Sequence, residues 1–137
     1  MQSTNTSPAA RRPEPAPSNI ISLPLILLLG CDAELTSRCR SIAARARVLV
    51  RASLATLPAQ REVSALSPLV IIVPAAVYES SPWGYEVMAE RVGASLLMID
   101  REPLASIVLE YRMMEALVFA TRLRAKVREN EAREARR

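Results

Sequence analysis

At 137 residues, half of them hydrophobic, the chain is long enough for one domain with one modest core and too apolar to be disordered throughout. Only five residues are aromatic, so that core must be aliphatic and alanine-rich. The net charge of +4 resides in residues 122–137, which hold seven basic and three acidic side chains; the balanced remainder lacks the basic, aromatic-interleaved face that nucleic-acid binding requires.

Residues 1–19 combine Ser, Thr, Asn and Pro with no large aliphatic side chain, and such a composition predicts a disordered leader. The next segment, IISLPLILLLGC, is too short to span a bilayer. With Arg11-Arg12 before it and Leu28-Leu29-Gly30-Cys31 at its end, it resembles a bacterial lipoprotein signal, which would imply lipidation of Cys31 and loss of everything upstream. Glu14 in the leader and Pro24 within the apolar stretch argue against that reading. So does the strand that cleavage would delete. The expectation is a cytoplasmic protein without membrane attachment, with the lipoprotein as an alternative.

Three apolar runs follow: Leu25 to Leu29, Leu69 to Val73 and Ala94 to Ile99. None alternates with polar residues, as expected of strands buried on both faces of a parallel sheet. After the first run, Asp32 is a candidate N-cap for a helix whose Leu35, Cys39, Ile42 and Ala46 share one face. RVLVRAS from Arg47 reads as a short strand whose arginines suit an edge. Leu54 to Leu66 predicts an irregular helix around Pro58, and Ala75 to Glu86 a loop gathering Tyr78, Trp83 and Tyr85. A helix over Pro82–Val92 should end at Gly93. Repetition of strand and helix predicts a three-layer α/β/α domain over residues 20–121, built on a four-stranded parallel sheet of order 2-1-3-4. A charged helical tail, 122–137, completes the chain.

From Pro103 onward neither Gly nor Pro interrupts a final helix, and this helix carries two apolar stripes. Leu104, Ile107, Val108, Tyr111, Met114 and Val118 form one; Leu109, Met113, Ala116, Leu117, Ala120 and Leu123 form the other. A helix covering a sheet needs only one stripe. The first is expected to cover the sheet, and Leu109, Met113, Leu117 and Leu123 to meet another copy of the chain or a protein partner, with Tyr78, Trp83 and Tyr85 as the next anchor.

The chain contains no histidine, which excludes Ser-His-Asp and Cys-His catalysis and His-containing zinc sites. Cys31 and Cys39 make no disulfide framework, so reduced thiols are expected. The order of the elements resembles a shortened flavodoxin-like domain, and within that group the response-regulator receiver. LILLLGCD stands where receivers have a first strand followed by acidic residues, and SPLVIIVP where the third strand ends in the phosphoacceptor aspartate. Gly30 and Cys31 replace the acidic pair, and Val73 or Pro74 replaces the aspartate. The resemblance therefore implies a pseudo-receiver that binds no magnesium or other cofactor and takes no phosphate.

A second resemblance is to the IIB component of sugar phosphotransferase systems, whose phosphorylated cysteine ends the first strand, as Cys31 does here. It would make Cys31 a phosphoryl carrier. Asp32 and Glu34 stand where the phosphate would arrive, and the loop lacks glycine. Cys39-Arg40-Ser41 is similar to the end of the low-molecular-weight tyrosine phosphatase loop, but Cys31 lies too far ahead of it. The expectation is a non-catalytic regulatory or adaptor module acting through protein contacts.

Overall fold

The structure is a computed structural model and describes residues 23–54, 57–100 and 104–136. The leader, with Arg11-Arg12, Glu14 and the first residues of the apolar stretch, lies outside the described residues.

Four strands, β1 (Leu25–Leu29), β2 (Leu49–Ser53), β3 (Val70–Pro74) and β4 (Ser95–Ile99), form one sheet in the order β2-β1-β3-β4. All three pairings are parallel, with Leu27 opposite Arg51 on one side and Ile71 on the other, and Ile72 opposite Leu97. The helices are α1 (Ala33–Arg45), α2 (Gln60–Leu66), α3 (Ala75–Tyr78), α4 (Pro82–Val92) and α5 (Ser106–Ala135). This is the predicted flavodoxin-like arrangement.

The unbroken apolar character of β1 and β3 follows from their central position. Successive side chains leave a strand on opposite faces, so both faces must be covered. Ile26, Leu28, Val70 and Ile72 pack with Cys39 and Ile42 of α1 and Leu109, Met113 and Leu117 of α5. Leu27, Leu29, Ile71 and Val73 pack on the other side with Val63 of α2 and Tyr85, Met88 and Ala89 of α4. Strand β2 is an edge strand and largely exposed, with Arg51 guarding it against pairing with another chain.

Local signals set the helix ends. Asp32 accepts a 2.7 Å hydrogen bond from the Leu35 amide and caps α1. Pro82 opens α4, and Gly93, at φ 70°, closes it in the left-handed region that glycine enters without a Cβ clash.

Three expectations are corrected. Helix α2 starts only after Pro58, at Gln60, so it excludes Leu54, which is exposed. The segment after β3 is not all loop: Ala75–Tyr78 makes one helical turn directly from the strand end. The stripes of α5 are exchanged. Leu109, Met113 and Leu117 lie in the core at 0, 0 and 8% exposure, whereas Ile107, Val108, Tyr111 and Val118 are exposed. Leu123 is exposed, as expected of it.

Helix α5 is much longer than the sheet it covers. Thirty residues span about 45 Å, against roughly 17 Å for a five-residue strand. Its anchorage ends at Arg124, whose guanidinium donates to the carbonyls of Pro68 at 2.6 Å, Val92 at 3.2 Å, and Ser67 and Gly93 at 3.4 Å. Those carbonyls sit at the C-terminal ends of α2 and α4, where helix dipoles leave partial negative charge. The helix runs unbroken past residue 121, so its packed part includes the first residues of the expected tail.

Candidate functional site

Strands β1 and β3 are neighbours, but β1 leads to β2 on one side and β3 to β4 on the other. A crevice opens between their C-terminal ends, where α/β sheets place their ligands. The cavity there holds about 320 Å³, with Gly30 and Pro74 at the strand ends and Asp32, Glu34, Asp100 and Arg38 in its lining. Two of its four charged groups are already engaged in holding the fold. The Asp32 carboxylate is bound to the α1 amide of Leu35, and Arg38 donates to the carbonyl of Leu104, tying α1 to the segment that leads into α5. Three carboxylates against one guanidinium give the lining a negative balance that disfavours an anionic ligand.

No carboxylate stands at Gly30, Cys31, Val73 or Pro74, the positions that resemble a receiver's acidic pair and phosphoacceptor. Among the described residues no group of three or more His, Cys, Asp or Glu side chains is gathered in a way that could hold a metal ion.

Cys31 does not face the crevice as a nucleophile. Its thiol lies 3.9 Å from the carbonyl oxygens of Leu29 and Ile72, and the half-buried residue lines a separate open cavity beside α1 with Thr36, Ser37 and Arg40. Burial pushes its pKa up to about 12, with Cys39 and Asp32 adding to the rise. Cys39, buried beneath α1, is raised to about 11 for the same first reason. Both thiols are free. A phosphocysteine needs a thiolate and unoccupied amides to receive the phosphate. Here the thiol stays protonated, and the Asp32 carboxylate holds one of the amides a phosphate would use. For the lipoprotein alternative, cleavage before Cys31 would remove β1, the strand paired on both sides at the centre of the sheet.

The expected aromatic anchor separates into two parts. Tyr85 is fully buried, and Tyr78 stacks on it with ring centres 6.3 Å apart while its hydroxyl donates to Glu86 at 2.7 Å. That hydrogen bond raises the Tyr78 pKa, helped by desolvation and the Glu86 charge. Trp83 alone faces solvent, at 80% exposure.

The outer face of α5 carries the larger apolar surface. Ile107 and Tyr111 are 78 and 66% exposed, and Val118 and Phe119 49 and 60%. Tyr111, Met114, Glu115, Val118, Phe119 and Arg122 line a shallow groove of about 430 Å³ along this face. Among the described residues no helix is long and apolar enough to cross a membrane. Compared with known proteins, the chain matches no family model and no curated sequence significantly.

Proposed function

We propose that this protein is a non-catalytic regulatory or adaptor module that works by protein–protein contact, a receiver-like domain without phosphoryl chemistry. The observation carrying this reading is the apolar outer face of α5, where Ile107, Tyr111, Val118 and Phe119 stand exposed on a helix whose opposite face already fills the core. A contiguous apolar surface of this kind marks interaction sites on folded proteins. The crevice supports the same reading from the other side. Its acidic cap is occupied, its strand ends carry no phosphoacceptor, and its neighbouring thiol is protonated.

A photo-crosslinking amino acid placed at Tyr111 in the native host should yield protein adducts, whereas the same group at Arg61, exposed on α2 across the sheet, should not. Equal yields from both positions would remove α5 as the contact surface. Incubation with magnesium and a small phosphodonor, followed by intact mass, should leave the chain unmodified. An adduct abolished by Cys31→Ser would replace the adaptor reading with a phosphocysteine carrier.

A further inference from the structure

The outer face of α5 has a finer periodicity than a general apolar patch. Ile107, Tyr111, Met114 and Val118 follow one another at intervals of four, three and four, and Thr121 and Ala125 continue the series. This seven-residue repeat is the spacing of a two-helix seam. Val108 and Phe119 broaden the stripe on one flank, and the groove along it offers recesses for the side chains of a facing helix. The helix is already fixed to its own domain by Leu109, Met113, Leu117 and Arg124, so docking on its outer face costs little further ordering.

The charges beside the seam select the occupant. Glu115 and Arg122 lie seven residues apart on the same flank. Arg122 makes no hydrogen bond or ion pair among the described residues, and Glu115 receives only the Tyr111 hydroxyl, at 3.5 Å. If a second copy of α5 packs antiparallel, with the two-fold axis between residues 118 and 119, each Glu115 faces the partner's Arg122. The symmetry makes this ion pair twice. Parallel packing would instead leave Arg122 without an acid and set the partner's Glu115 beside Glu110, which Arg45 already pairs at 2.7 Å.

Resting on the reading of this face as a contact surface, we infer that its partner is a second copy of the chain, joined through an antiparallel α5–α5 seam centred on Val118. About that axis the apolar stripes of the two copies overlap over residues 112–125, about 20 Å by helix rise alone. A single helix pair of that length lies at the low end of specific interfaces, below about 1,200 Å² in total, and fits a weak, concentration-dependent dimer.

The test is sedimentation velocity on the full chain across micromolar to submillimolar concentration. Wild type should shift from monomer to dimer. Val118→Asp, at an exposed position, should be monomeric throughout with an unchanged circular dichroism spectrum. Glu115→Arg and Arg122→Glu should each weaken dimerisation by roughly tenfold, because each sets two like-charged pairs in place of two ion pairs. The double variant should recover to within about threefold of wild type, since reciprocal exchange rebuilds both pairs. A wild type that is monomeric at every concentration would overturn the second copy as partner, and crosslinking at Tyr111 would then still decide whether the face binds a different protein. A double variant no better than either single one would overturn the antiparallel register. A dimer insensitive to Val118→Asp but dissociated by Leu96→Lys would move the interface to the uncharged open edge of β4.

Discussion

Two residues occupy backbone conformations that their side chains oppose. Arg47 follows α1 at φ 59° and Ser67 ends α2 at φ 48°, both in the left-handed region where helices commonly place glycine. The Val48 amide bonds the Ala43 carbonyl at 2.9 Å across the Arg47 turn, so the turn satisfies α1 and its strain is held by that closure. The left-handed conformation costs an ordinary residue about 1–2 kcal/mol, while glycine adds roughly 0.5–1 kcal/mol of chain entropy on folding. Arg47→Gly is therefore expected to raise stability by about 0.5 kcal/mol, read as a higher urea midpoint with an unchanged slope. The two thiols act in the opposite direction at high pH. Cys31 and Cys39 rise from an ordinary value of 9.0 to about 12 and about 11, so the native state holds their protons more tightly than the unfolded chain does. Their contribution is fully present below pH 9 and is lost as pH rises through 11 and 12. Stability should therefore fall above pH 9, and because Tyr and Lys titrate nearby, the decisive readout is the shallower decline of Cys31→Ser relative to wild type in urea titrations.

At the level of elements, the strands and most helix ends were legible because single residues mark them. Asp32 caps α1, Pro82 and Gly93 bracket α4, and the apolar runs of β1 and β3 are strands covered on both faces, whereas the run of β4, at the sheet edge, is only partly buried. The helical turn after β3 is not legible in the sequence because Ala75–Tyr78 turns helical directly from the strand end, with no polar cap to announce it. The packing face of α5 is hidden for a different reason. Both of its faces are apolar, so periodicity places two stripes without ranking them. The ranking comes from packing: Ala120 lets the helix approach the sheet closely, whereas Tyr111 and Phe119 are too bulky for that contact and remain outside. Arg124, in line with Leu117 and Ala120, reaches the carbonyls that end α2 and α4. That role depends on where two other helices finish, which the spacing along α5 does not contain.

For the whole molecule, the crevice explains why the fold could be read and a reaction could not. The residues around the crevice include those that close the structure: a glycine turn and a proline at the strand ends, a capping aspartate, and a bridging arginine from α1. The same logic separates the body of the domain from the length of helix beyond it. Among the described residues none after Ala120 is buried, and past Arg124 they make one side-chain bond, the Arg133–Glu129 pair within α5 itself. Truncation after Ala125 removes five basic and three acidic side chains, so the net charge falls from +4 to +2, but among the described residues it takes away no hydrogen bond or ion pair to the body of the domain. Stability should therefore change by no more than about 0.5 kcal/mol. Truncation two residues earlier also removes Arg124, freeing four carbonyls at the helix ends, and hydrogen bonds from a charged donor contribute about 1.5–3 kcal/mol. The shorter chain should lose roughly that amount, and Arg124→Gln in the full chain should lose most of it, since one neutral amide cannot reach both helix ends. Urea titration of the three proteins checks the boundary. Equal losses from both truncations would show that the projecting helix stabilises the domain, and equal stability of all three would show that the Arg124 contacts contribute nothing to it.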